Sequence, residues 1–200
     1  MNLSIASMSI QTMAVPSLIA YSWQALGVVW LIGLTFTKRT LRTQPTGPRL
    51  FQAALALLGF FLLGSPSSAR GWLAIRFLPA NHAVEIAGLA ITIAGCIFAI
   101  WARLAIGSNW SGRATVKVGH QLVTTGPYAL ARHPIYTGLL LAGFGTALAI
   151  GQLRGPVGLF LVVLALLIKM SQEERLMLQT FPQAYPAYRN RVKALIPGIL

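Results

Sequence analysis

The chain has 200 residues, of which 56% are hydrophobic and only 10% charged. A surface facing water usually needs about 25% charged residues, so a soluble globular domain is excluded and an integral membrane protein is expected. Sixteen Lys and Arg against three acids give a net charge of +13; the excess is spread along the chain, as in membrane loops, rather than gathered into a nucleic-acid surface. The one cysteine, Cys96, excludes an intrachain disulfide and a cysteine-based metal site.

A bilayer-crossing helix needs about 20 mainly apolar residues. Met13 to Phe36 contains no charge and is the first candidate span. No basic residue precedes it, so the positive start of a secretory signal is missing and a retained helix is expected. Leu50 to Ala69 is the second span, closed by the breaker cluster Gly64-Ser65-Pro66-Ser67-Ser68. Gly71 to Ala80 is apolar but short and reads as an interfacial segment. Ala83 to Ala102 is the third span, with Glu85 near one end. Pro134 to Leu153 and Val157 to Ile168 are the fourth and fifth, joined by a turn at Arg154-Gly155-Pro156. The fifth is short, and snorkelling of Lys169 toward the headgroups completes it.

Loop charge supports five crossings. Only Arg70, Arg76 and Arg154 fall on one set of alternate segments, and all other Lys and Arg fall on the opposite set. That asymmetry puts the N-terminus outside and the C-terminus in the cytoplasm. Residues 1–200 are read as a single all-α membrane domain without internal repeats.

Two stretches, 107–138 and 169–197, are too polar and aromatic to be membrane filler, and both are expected on the cytoplasmic side. In the first, Gly126-Pro127 reads as a turn, followed by a short helical turn over Tyr128 to Arg132. Pro134 then suits the first turn of the fourth helix. Arg132, His133 and Tyr136 would thus meet at a helix N-terminus, where anionic groups are favoured. In the second stretch, Phe181, Tyr185, Tyr188, Val192 and Leu195 recur at helical spacing as an apolar stripe. Pro182 and Pro186 are expected to kink this amphipathic tail into two pieces, Ser171 to Phe181 and Pro186 to Ala194.

The pattern HQLVTTGPYALARHPIYTG, followed by EERLMLQTFPQAYPAYRNRVKALIP, resembles the isoprenylcysteine carboxyl methyltransferase family and is similar to the related phospholipid N-methyltransferases. The resemblance covers Gly107 to Pro197. It implies an integral membrane methyltransferase with a cytoplasmic pocket for S-adenosylmethionine, released as S-adenosylhomocysteine, and a lipophilic acceptor reached through membrane lipid. By position it implies cofactor contacts from His120, Gln121, Leu122, Val123, Tyr128, His133, Pro134, Ile135, Tyr136 and Glu173. Lys169 stands where the eukaryotic enzymes have an arginine assigned to substrate, and a lysine lacks the bidentate fork. Those enzymes also have Gly after Phe where this chain has Pro182.

The favoured acceptor is the carboxylate of a prenylcysteine-like or isoprenoid acid, which needs no base. The amine of a phospholipid is the alternative and must lose a proton, a task for Glu174 or a tyrosine. An NADPH-dependent sterol-type reductase shares an Arg-His-Pro-x-Tyr-like region, and a non-enzymatic membrane protein is a further alternative. Arg132 and Glu174 are also readable as a loop anchor and as a partner for nearby cations. His82 is expected on the face opposite His120 and His133, so no metal is expected.

Overall fold

A computed structural model describes residues 2–36, 40–43, 47–110, 115–117 and 121–198, with side chains described outside 2–14, 40–48 and 115–117. Helices dominate: α1 (Asn2–Leu34), α2 (Gly47–Gly64), α3 (His82–Ile106), α4 (Pro134–Ile150), α5 (Arg154–Thr180) and α6 (Ala184–Arg191). The all-α expectation is departed from at one place among the described residues, where β1 (Thr40–Thr43) pairs antiparallel with β2 (Thr115–Lys117), Thr43 opposite Thr115. That pair joins two loops expected on the same side of the bilayer.

Among the described residues, three helices are long and apolar enough to cross a membrane: Val15–Leu34, His82–Asn109 and Arg154–Thr180. Arg49–Gly64 and Pro134–Ile150 are apolar but shorter. Large side chains such as Leu31, Ile97 and Phe160 point outward, as they do where the surroundings are lipid.

Small residues bring α3 and α4 into backbone contact. A Cβ placed on Gly138 would lie 2.6 Å from the Ala99 amide nitrogen, and one on Gly95 would collide with that of Ala142. Close approach of this kind replaces the hydrophobic drive that lipid removes. Inside the contact, Thr92 Oγ1 donates to the Gly88 carbonyl at 2.9 Å and Thr146 Oγ1 to that of Ala142 at 2.9 Å. Trp23 of α1 donates its indole N–H to Thr146 at 3.1 Å. α1 rests on α3, and α2 rests on α5.

Buried arginines close helix ends. Arg103 donates to the carbonyls of Gly33 (2.6 Å) and Gly107 (3.0 Å), tying the C-termini of α1 and α3 together. Arg154 donates to those of Leu62 (3.0 Å) and Ser65 (3.1 Å) at the end of α2. A cation is well placed at a helix C-terminus, where carbonyls lack intrahelical partners.

Three boundaries differ from the sequence reading. The α4–α5 turn is not at Arg154-Gly155-Pro156 but one step earlier, where Gly151 takes the left-handed conformation (φ 62°) that ends α4. α5 then starts at Arg154 and accommodates Pro156 in its first turn. The fifth helix is also not short. It runs 27 residues to Thr180, because nothing between Lys169 and Pro182 breaks it; Ser171 to Phe181 is its continuation rather than a separate piece. The tail does kink around Pro182, but α6 starts at Ala184, since Pro186 still falls within the first turn, where a missing N–H costs little.

Candidate functional site

The cleft end of the bundle is assembled from the start of α4, the loop before it, the second half of α5 and the tail. Gly126–Ala129 forms a short 3-10 turn that begins with Gly126 at φ 59°. His133 then precedes Pro134 at the first position of α4.

The tail is laid along this loop and bonded to it. The amides of Arg132 and His133 donate to the carbonyls of Lys193 (2.8 Å) and Ala194 (2.9 Å). Thr137 Oγ1 donates to that of Leu195 at 2.7 Å, and Tyr188 Oη donates to that of Tyr128 at 2.6 Å.

Two adjacent carboxylates on α5 organise the side chains. Tyr136 donates to Glu173 Oε2 at 2.6 Å. Lys169 Nζ lies 3.9 Å from the other oxygen, Oε1, and 5.6 Å from the centre of the Tyr136 ring. Glu174 Oε1 accepts from Arg132 Nη2 (2.6 Å) and Nε (3.0 Å), with His133 Nε2 at 3.3 Å. Arg132 also donates Nη1 to the Val192 carbonyl at 2.6 Å, so one guanidinium joins loop, α5 and tail. The His133 ring stacks parallel on Tyr136 at 5.3 Å, and its Nδ1 lies 3.7 Å from Glu173. Burial, reinforced by the Glu173 charge, pushes the Tyr128 phenol well up. Burial likewise raises Tyr185 and takes Tyr188 up to about 12. All three stay neutral hydroxyls at ordinary pH and are poor bases.

A cleft opens among these groups. Gln121, Leu122 and Val123 line it, with Tyr128 and the run His133, Pro134, Ile135 and Tyr136; Glu173 supplies its carboxylate. Nine residues separated by up to 52 positions in the chain thus share one cavity. His120 lies outside the described residues. Lys169 does not line the cleft but reaches it through Glu173.

Further lining residues were not singled out from the sequence. Met177, one turn beyond Glu173 on the same helix face, was detectable by that spacing. Tyr185 and Tyr188, read as packing residues, are each 3% exposed and also border the cleft. Trp110 also lines it, with Arg103 4.4 Å over its face. Arg132 and Glu174 pair with each other, and Glu174 also lies 3.7 Å from Arg189. Among the described residues, no three His, Cys, Asp or Glu side chains gather as a metal site.

Residues 84–184 match the family model described as phospholipid methyltransferase. The chain is 35% identical over 82 residues to protein-S-isoprenylcysteine O-methyltransferase of Schizosaccharomyces pombe, covering 40% of this chain and 34% of that protein. It is 29% identical over 119 residues to a probable protein-S-isoprenylcysteine O-methyltransferase of Oryza sativa subsp. japonica, 58% of this chain and 62% of the relative. With protein-S-isoprenylcysteine O-methyltransferase B of Arabidopsis thaliana it shares 28% over 115 residues, 56% and 58%. The matches therefore span between about a third and three fifths of these relatives' lengths.

Proposed function

The chain belongs to the phospholipid methyltransferase family, and we propose that it transfers a methyl group from S-adenosylmethionine to the carboxylate of a prenylcysteine-like or isoprenoid acid held in the bilayer. The observation that carries the reading is the Glu173–Tyr136 bond at 2.6 Å in a cleft with aromatic and apolar walls, at the end of apolar helices. The donor set fits the cofactor. Glu173 would take an ammonium group, while Leu122, Val123, Tyr128 and Ile135 offer surfaces for an adenosine ring. When bound there, the cofactor would supply an electrophilic methyl for an ionised carboxylate oxygen, the sulfonium C–S bond breaking as the ester C–O bond forms, with no proton to remove.

What this chain contributes is alignment and exclusion of water. Tyr136 fixes the Glu173 carboxylate, and Arg132 fixes the tail over the cleft. Lys169 lies beside Glu173, where its cation would orient an acceptor carboxylate. Amine methylation is the second reading, favoured by the description of the matching family model. Glu174, however, is engaged by Arg132 and His133 and the nearby phenols are held neutral, so a free base for an ammonium acceptor is missing among the described side chains of the cleft.

In the bilayer the reading has five crossings, α2 and α4 being the shorter two, with the cleft on the cytoplasmic face. A cysteine at Ser67 should react with an impermeant reagent from outside, and one at Gly198 should not; equal labelling would remove the arrangement. For the activity, purified protein should bind S-adenosylhomocysteine and not NADPH in calorimetry. Membranes given methyl-labelled cofactor should then yield a base-labile methyl ester on a lipid acid. A base-stable N-methyl lipid would favour the amine reading.

A further inference from the structure

At the other end of the bundle from the cleft, α1, α2, the start of α3 and the α4–α5 turn border a cavity of about 760 Å³. That volume falls in the range of roughly 300–1,000 Å³ typical of small-molecule pockets. It is distinct from the cleft: the 17 residues of α4 separate the two by about 25 Å at 1.5 Å per residue. Helix pairing explains it. α1 packs chiefly on α3 and α2 chiefly on α5. Trp23 and Phe60 touch edge to face at 5.5 Å across the gap. Ile19, Phe60 and Leu63 make its walls apolar.

Its charged groups are two cations and one anion. Arg76 and Arg154 line it with Gln152 and Glu85. Arg154, 9% exposed, bonds two carbonyls and Gln152 Oε1 (2.8 Å). Arg76 bonds the Leu78 carbonyl at 3.1 Å. Among the described residues neither forms an ion pair. The chain has three acids. Glu173 and Glu174 are committed at the far end, and Glu85 lies 3.9 Å from His82. Neither guanidinium is neutralised by an ion pair, so a cavity bordered by two arginines and one carboxylate keeps a positive surplus that an anion from outside the chain can meet. Both also fall on the side of the loops that carries few cations, so topology does not account for them.

We propose that this cavity binds a membrane phospholipid. Its phosphate is held by the forks of Arg76 and Arg154, which match phosphate oxygens, and an acyl chain lies between α1 and α2 along Ile19, Phe60 and Leu63. The lipid fills the gap that helix pairing leaves open. This site is independent of the methyl-transfer reading, and neither fails with the other.

The test uses the full chain, delipidated in detergent and followed by native mass spectrometry. It is titrated with phosphatidylglycerol, with diacylglycerol of the same chains and with glycerol 3-phosphate. Phosphatidylglycerol should bind about tenfold or more tightly than either control, the scale expected for charge-assisted bonds plus buried chain. Arg76→Gln, at an exposed position, should weaken it by about tenfold. Ala20→Trp, which fills the cavity from an exposed site on α1, should abolish tight binding, with far-UV helix content confirming the fold in both variants. Equal binding of diacylglycerol, or unchanged phosphatidylglycerol binding in either folded variant, overturns the proposal. Glycerol 3-phosphate binding as tightly as the lipid overturns it too, in favour of a soluble anion.

Discussion

At the cleft end of α5, Glu174 accepts from Arg132 at 2.6 Å and Glu173 accepts from Tyr136 at 2.6 Å, whereas at the hairpin end Arg154 donates to main-chain carbonyls and an amide. The same helix thus carries a carboxylate network at one terminus and a carbonyl-satisfied cation at the other. The difference separates two uses of charge. Arg154 closes the C-terminus of α2, and two of its three partners are backbone carbonyls, which any sequence would provide. The carboxylates pair with side chains from three segments, so they set the geometry of a cavity. With so few acids in the chain, their placement decides where charged chemistry is possible.

The comparison breaks hardest at Arg132. Arg132→Ala leaves Glu174 and the Val192 carbonyl without their donor, in a pair whose side chains are 9% and 14% exposed. Losing one member of a largely buried pair costs about 3–5 kcal/mol, and thermal unfolding in detergent should record a loss of that size. The hairpin counterpart, Arg154→Met, leaves two carbonyls at the end of α2 in an apolar setting and should cost about 3 kcal/mol by the same assay. Water reaching those carbonyls would shrink the loss, and a cost equal to that of Arg132→Ala would erase the distinction between the two ends.

Glu173→Gln is expected to act on binding more than on folding. It should weaken S-adenosylhomocysteine by about 1–3 kcal/mol in calorimetry, the cost of a lost charge-assisted partner. Native affinity in the folded variant would take Glu173 out of the cofactor site. The smallest effect is expected from Lys169→Met. Its amine is 3.9 Å from Glu173, and a partly solvated pair of this length is worth at most about 1 kcal/mol. Steady-state kinetics should show acceptor KM raised a few-fold with cofactor affinity unchanged; a change in cofactor affinity alone would assign Lys169 to Glu173 rather than to the acceptor.

Composition and hydropathy alone located the five apolar helices found among the described residues, because transfer of a segment from water is a local property that sums along the chain. Motif resemblance located Tyr128, His133, Tyr136 and Glu173, which line one cleft. The ends of α5 were misread because helix continuation past Lys169 depends on the absence of a breaker, not on apolarity, and hydropathy falls there without the backbone changing. Glu174's partner was out of reach for another reason. Arg132 lies 42 residues earlier, and an ion pair at that separation exists only because α4 and α5 are held side by side and the tail is bonded along the loop at 132–137. The cavity between α1 and α2 is likewise a consequence of which helices found small-residue partners. Backbone approach at Gly95 and Gly138 commits α3 to α4, α1 packs chiefly on α3 and α2 chiefly on α5, and the space between α1 and α2 follows from that assembly.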